Sequence, residues 1–230
     1  MRVTENFRKI QDLLAAAATR AGRPVDAVRL LAVSKTRPVE EVLELAAAGQ
    51  RDFGENIVQE AVDKIEAAAD PDLVWHFIGH LQSNKTRDVA ERFSWVHSLD
   101  RIKIARRLSR QRPRQSGQLD VCIQVNVDDE PGKSGVSFDG LPELAAEVAG
   151  LPGLRLRGLM CLPAIREDSE EQREPFRRLR EAQQQLIDKG LELDTLSMGM
   201  TGDFEAAIRE GATIVRIGTA LFGERASSSD

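Results

Sequence analysis

A chain of 230 residues is long enough for one α/β barrel or two small domains, and a hydrophobic fraction of 41% can fill a core of that size. The net charge of −5 argues against nucleic acid as the main partner, and no apolar run approaches the ~20 residues of a membrane-spanning helix. The charged N-terminus (MRVTENFRKIQDLL) has no apolar signal-peptide core, and Cys122 and Cys161 stand far apart without CxxC or metal-ligand spacing, so a soluble cytoplasmic protein with reduced thiols is expected.

Phe7, Ile10, Leu13, Leu14, Ala17, Ala18 and Ala21 follow helical spacing, and Gly22-Arg23-Pro24 ends that helix. Leu30 to Val33 then form a continuous apolar run, as in a strand buried on both faces, which stops at Ser34-Lys35-Thr36. Pro38 suits a first helical turn, and Val39, Val42, Leu43 and Ala46 recur on one helical face. The same alternation of strand and helix patterns continues. Strands are expected near 51–53, 74–79, 94–97, 119–127, 154–162, 195–197 and 214–217, with helices near 57–69, 84–91, 100–112, 140–149, 169–188 and 203–210. Eight strands separated by helices, with no linker and no repeat, predict a single (β/α)8 TIM barrel over 1–225, preceded by an extra helix and followed by a disordered tail at 226–230. The competing doubly wound sheet lacks its GxGxxG fingerprint.

In such barrels the chemistry sits at the carboxyl ends of the strands. Lys35 stands where the first strand ends, and an amine partly shielded by barrel walls is favoured as the neutral nucleophile that attacks carbonyls. Near the C-terminus, Ser197-Met198-Gly199-Met200-Thr201-Gly202-Asp203 joins the seventh strand to a helix, and Arg216-Ile217-Gly218-Thr219 follows the eighth. Glycines admit an anion to backbone N–H groups, hydroxyls donate further bonds, and barrel phosphate sites lie after strands seven and eight, so these loops are expected to hold a phosphate. Asp203 alternatively caps its helix. Gly54-Glu55-Asn56 leaves the second strand on the face of Lys35, either to orient a ligand or to cap a helix.

Other motifs carry less. His76 and His80 are four apart, but on a strand and turn rather than a helix, so His76 reads as a core or mouth histidine and no metal is expected. Pro131-Gly132-Lys133-Ser134-Gly135 imitates a nucleotide P-loop, yet Val127 stands where the required glycine belongs. The basic segment Arg101–Arg114 alternates with Ile102, Ile104, Ala105 and Leu108 and has no aromatic stacking residues, which fits a solvated amphipathic helix.

Taken together, LLAVSKTRPVEEV, FGENIVQEA, WHFIGHLQSNK, LSMGMTGDFEAAI and VRIGTALFGER resemble blocks of the YggS/PROSC family of pyridoxal phosphate homeostasis proteins, in order, from Val28 to Gly223. The resemblance implies a barrel similar to the alanine racemase N-terminal domain, with pyridoxal 5′-phosphate (PLP) held as a Schiff base on Lys35. It implies phosphate contacts from Ser197, Met200, Thr201, Gly218 and Thr219, with Arg216 facing the pyridine nitrogen and Asn56 near the ring. Thr201 stands where the family commonly has serine, and Ile57 where a polar residue often follows GEN. A guanidinium only donates, so Arg216 would keep the ring nitrogen unprotonated and the ring a weak electron sink, which favours carriage over strong catalysis.

The expected function is PLP homeostasis by a cytoplasmic monomer, with PLP-dependent apoenzymes as recipients and neither nucleic acid nor membrane as partner. A PLP-dependent racemase or decarboxylase of the alanine-racemase type is the alternative, and a Schiff-base aldolase a third reading. In the racemase the second acid/base is a tyrosine from another domain, whereas this chain has no tyrosine.

Overall fold

The computed structural model describes residues 2–223; the tail expected at 226–230 lies outside the described residues. Helix α1 (Arg2–Arg20) precedes β1 (Arg29–Val33), α2 (Val39–Ala47), β2 (Asp52–Glu55), α3 (Val58–Ala68), β3 (Val74–Phe77) and α4 (Thr86–Arg92). Then come β4 (Trp95–Leu99), α5 (Ile102–Gln111), β5 (Leu119–Val125), α6 (Leu141–Ala149), β6 (Leu154–Cys161) and α7 (Ser169–Asp188). The chain closes with β7 (Thr195–Ser197), α8 (Phe204–Arg209), β8 (Ile214–Ile217) and α9 (Thr219–Phe222). The eight strands pair in sequence order, all parallel, and β8 returns to β1 to close the barrel. This is the (β/α)8 fold that the alternation predicts.

Strand periodicity divides the side chains between two compartments. Leu30, Ala32, Phe53, Phe77, Val96, Val121, Ile123, Leu159 and Val215 join the helix stripes in one large core cluster, while Trp95, Cys122 and Met160 form a small separate one. The barrel interior is strongly polar: Asp52, His76, His97, Ser197 and Arg216 meet there through hydrogen bonds. Both cysteines are free and buried in strands, as expected.

Helix α1 buries Phe7, Ile10, Leu14, Ala17 and Ala18 against α2, α8 and α9, while Leu13 stays 46% exposed at the edge of the stripe. Arg23 fastens the turn after α1 by donating to the carbonyls of Ile208 and Ala212. The structure adds α9, a single turn that no apolar periodicity announced, and extends β4 two residues past His97. No helix among the described residues is long and apolar enough to cross a membrane.

Candidate functional site

A cavity of about 600 Å³ opens at the carboxyl ends of the strands. Seven of the eight residues expected to contact PLP line it: Lys35, Asn56, Met200, Thr201, Arg216, Gly218 and Thr219. Ser197 does not. It is fully buried below the wall, its hydroxyl held between Arg216 and His97, because it is the last residue of β7 and faces the barrel interior. The hydroxyl expected at the phosphate thus faces Arg216 and His97 in this structure.

Lys35 sits in a turn that is tied down on both sides. The Ser34 hydroxyl donates to Glu55 Oε1 (2.6 Å), and Lys64 Nζ donates to both the Ser34 carbonyl (2.8 Å) and Glu55 Oε1 (2.6 Å). On the far side, the Thr36 N–H donates to Glu60 Oε1, which also accepts from Lys64. Thr36 takes φ 62°, a left-handed conformation that a β-branched residue keeps only when its surroundings fix it. Glu55 is thus no ligand-orienting group: it faces the helices, where burial raises its pKa against the opposing pull of Lys64. Lys64 was detectable as a charge three residues after Ala61, on the apolar stripe of α3.

Asn56 is positioned by close backbone contact. A Cβ at residue 79 would come within 2.1 Å of the Asn56 carbonyl oxygen, so only glycine fits there. The Ser98 hydroxyl then donates to the Gly79 carbonyl. The Asn56 side chain is left with a buried Oδ1 that has no hydrogen-bond partner among the described residues.

The turn after β7 is held from within and from β8. Asp203 does not cap α8; its Oδ1 accepts from the Met200 N–H (2.6 Å), and the Met200 carbonyl accepts from the N–H groups of Asp203 and Phe204. Burial raises the Asp203 pKa, opposed by that N–H and by Arg216. The Arg216 N–H donates to the Gly199 carbonyl, and Gly199 adopts φ 94° with Ala207 packed too near for a Cβ. Thr201 and Thr219 remain exposed at the mouth.

Arg216 reaches the cavity from below. One guanidinium nitrogen donates to Ser197 Oγ (2.8 Å), another to the Cys161 carbonyl (2.8 Å), and burial pulls its pKa below the usual value. From Ser197 the contacts continue to His97 Nδ1 (2.7 Å), from His97 Nε2 to His76 Nδ1 (2.9 Å), and from His76 Nε2 to Asp52 Oδ1 (2.9 Å). His76 is therefore a core histidine, and no metal-holding group of three His, Cys, Asp or Glu exists among the described residues.

Sequence reasoning missed the outer wall. Leu162, Pro163, Ala164, Ile165 and Arg166 line the cavity after β6, anchored by Asp128, which accepts from the Ala164 N–H and from Arg166 (2.6 Å each). His80 also lines it, at the rim; its place directly after Gly79 beyond β3 was the available signal. Lys133 is occupied by Glu130 (2.6 Å) and Asp128 (3.7 Å), and Ile57 is 51% exposed, off the cavity wall.

An amine, a guanidinium and two Gly/Thr turns thus share one cavity. Residues 4–226 match the family of alanine racemase N-terminal domains. A pyridoxal phosphate homeostasis protein of Pseudomonas aeruginosa is 56% identical over 223 residues, 97% of this chain and 96% of that protein. Among solved structures, PipY of Synechococcus elongatus with PLP bound is similar at a TM-score of 0.83 and 37% identity, over 96% of this chain and 100% of that one. Alanine racemase from Corynebacterium glutamicum shares the barrel, with a TM-score of 0.72 and 17% identity over 100% of this chain and 62% of that one. The chain belongs to the alanine racemase N-terminal domain family, and within it to the pyridoxal phosphate homeostasis proteins.

Proposed function

We propose that this protein binds PLP at the barrel mouth as a Schiff base on Lys35 and serves PLP homeostasis in the cytosol, rather than strong catalysis of its own. The observation that carries this reading is the convergence of Lys35, Arg216 and the turns at Met200–Gly202 and Gly218–Thr219 on one cavity. The wall fits the cofactor. Lys35 offers an amine for the aldehyde, Arg216 a permanent donor for the ring nitrogen, and the buried, unpartnered Asn56 Oδ1 an acceptor for a donor on the ligand. Bound PLP supplies an electron sink, which a donating guanidinium at the ring nitrogen keeps weak. The free, buried cysteines suit a reducing compartment. The proposal includes PLP-dependent apoenzymes as recipients and a monomer as the working unit.

The phosphate has its partners in Thr201, Thr219 and the adjoining backbone N–H groups. A hydrogen bond to a charged group contributes about 1.5–3 kcal/mol, roughly tenfold or more in affinity for each bond lost. Wild type is therefore expected to bind PLP far more tightly than pyridoxal, and the Thr201→Ala, Thr219→Ala double variant to narrow that gap. Equilibrium titration of both vitamers checks this, and equal affinities in the wild type would contradict a phosphate site here. Purified protein should also show visible absorbance that borohydride bleaches; a protein that takes up no PLP contradicts the whole reading.

A further inference from the structure

We propose that His97 and His76 are positioning residues for Arg216: with Ser197 and Asp52 they form a one-way hydrogen-bond chain through the barrel that fixes the guanidinium beneath the cofactor. The inference rests on the reading of Arg216 as the partner of the ring nitrogen. The direction of the chain follows from its ends. Arg216 can only donate, and the Asp52 carboxylate, which also faces Arg29 at 3.4 Å, can only accept. Ser197 Oγ accepts from Arg216, so its proton goes to His97 Nδ1; His97 then donates from Nε2 to His76 Nδ1, and His76 from Nε2 to Asp52. The reverse order would set a bare His76 Nε2 against the Asp52 carboxylate at 2.9 Å. Both imidazoles are therefore neutral Nε2–H tautomers.

The surroundings support that state. Both rings are fully buried, His76 lies stacked on Trp95 (5.5 Å, 12°), and burial holds both below the ordinary histidine range. Asp52 and Asp120 oppose that shift at His76 and Arg29 adds to it, while at His97 the neighbours His76, Arg216 and Arg29 add to it. Arg216 itself is buried against two neutral acceptors, Ser197 Oγ and the Cys161 carbonyl. A chain of polarised bonds ending on a carboxylate compensates that charge across the barrel. The chain locks rather than relays: a proton hop must reverse every link, and Arg216 cannot accept.

The test pairs His97→Leu, which removes the acceptor, with His97→Asn, whose Oδ1 takes the place of Nδ1. In His97→Leu, PLP retention should fall about tenfold to a hundredfold, as for one lost bond to a charged group. The ring signal of 15N-labelled PLP should move from the unprotonated toward the protonated position, and His97→Asn should restore both. Histidine 15N spectra of the cofactor-free wild type should show protons on Nε2 of both residues; should the variants fail to fold, these spectra decide alone. His97→Leu with wild-type retention and an unmoved ring signal, or a proton on His97 Nδ1, overturns the proposal. A wild type that takes up no PLP instead refutes the cofactor reading, a failure that leaves the tautomer spectra unaltered.

Discussion

Replacing Lys35 by alanine is expected to abolish covalent retention of PLP. Lys133 is held by Glu130 and Asp128, Lys64 by Glu55 and the Ser34 carbonyl, and among the described residues no amine besides Lys35 lines the cavity. The turn around residue 35 is held by Ser34, Glu55, Glu60 and Lys64, none of which needs the Lys35 side chain, so the variant should fold. The mouth turns persist in it, and weak noncovalent binding that depends on the phosphate should remain. Absorbance after gel filtration reads the first effect, and titration with PLP and pyridoxal reads the second. A Lys35→Ala protein that still carries borohydride-reducible PLP would contradict the assignment.

Loaded with PLP, the wild-type protein is expected to interconvert L- and D-alanine only slowly. Racemisation by two bases needs an acid/base on each face of the substrate carbon, and a missing positioned one typically forfeits 10²–10⁴-fold in rate, about 3–5 kcal/mol. The chain has no tyrosine to serve opposite Lys35. Cys161 is fully buried in the large core cluster with its thiol pushed up to about 12. His76 and His97 each have both ring nitrogens bonded inside the barrel. That leaves His80 at the cavity rim and Asp203 in the cavity wall, whose Oδ1 is already held by the Met200 N–H. Deuterium exchange at the alanine carbon, followed separately from enantiomer interconversion, distinguishes the cases. Slow exchange with little interconversion fits a single lysine base. Rapid interconversion that disappears in His80→Ala would contradict the noncatalytic reading.

The barrel was legible in the sequence because each strand carries its own local pattern, and short connections leave few ways to arrange eight of them. The mouth was legible for a similar reason: Lys35 and the two Gly/Thr turns follow their strands directly. The inward orientation of the Ser197 hydroxyl was not legible, because a hydroxyl beside a glycine-rich turn has the same local pattern whether it faces the mouth or the interior. Its orientation is set by strand parity, since Thr195 and Ser197 share one face of β7. The chain from Asp52 to Arg216 was not visible because its members come from five different strands and meet only when the barrel closes. Its one local trace is a histidine inside each of two apolar strands, VWHF and WVHSL. Lys64 and Glu55 show the same limit: helix and strand patterns report that each is buried, but not that they meet.

The most direct measurement is peptide mass spectrometry of PLP-loaded protein after borohydride reduction. One modified site is expected, Lys35, carrying the reduced phosphopyridoxyl group, with pyridoxal giving much less of the corresponding adduct at equal concentration. An adduct confined to Lys133 or to another surface lysine, with Lys35 unmodified, would contradict it.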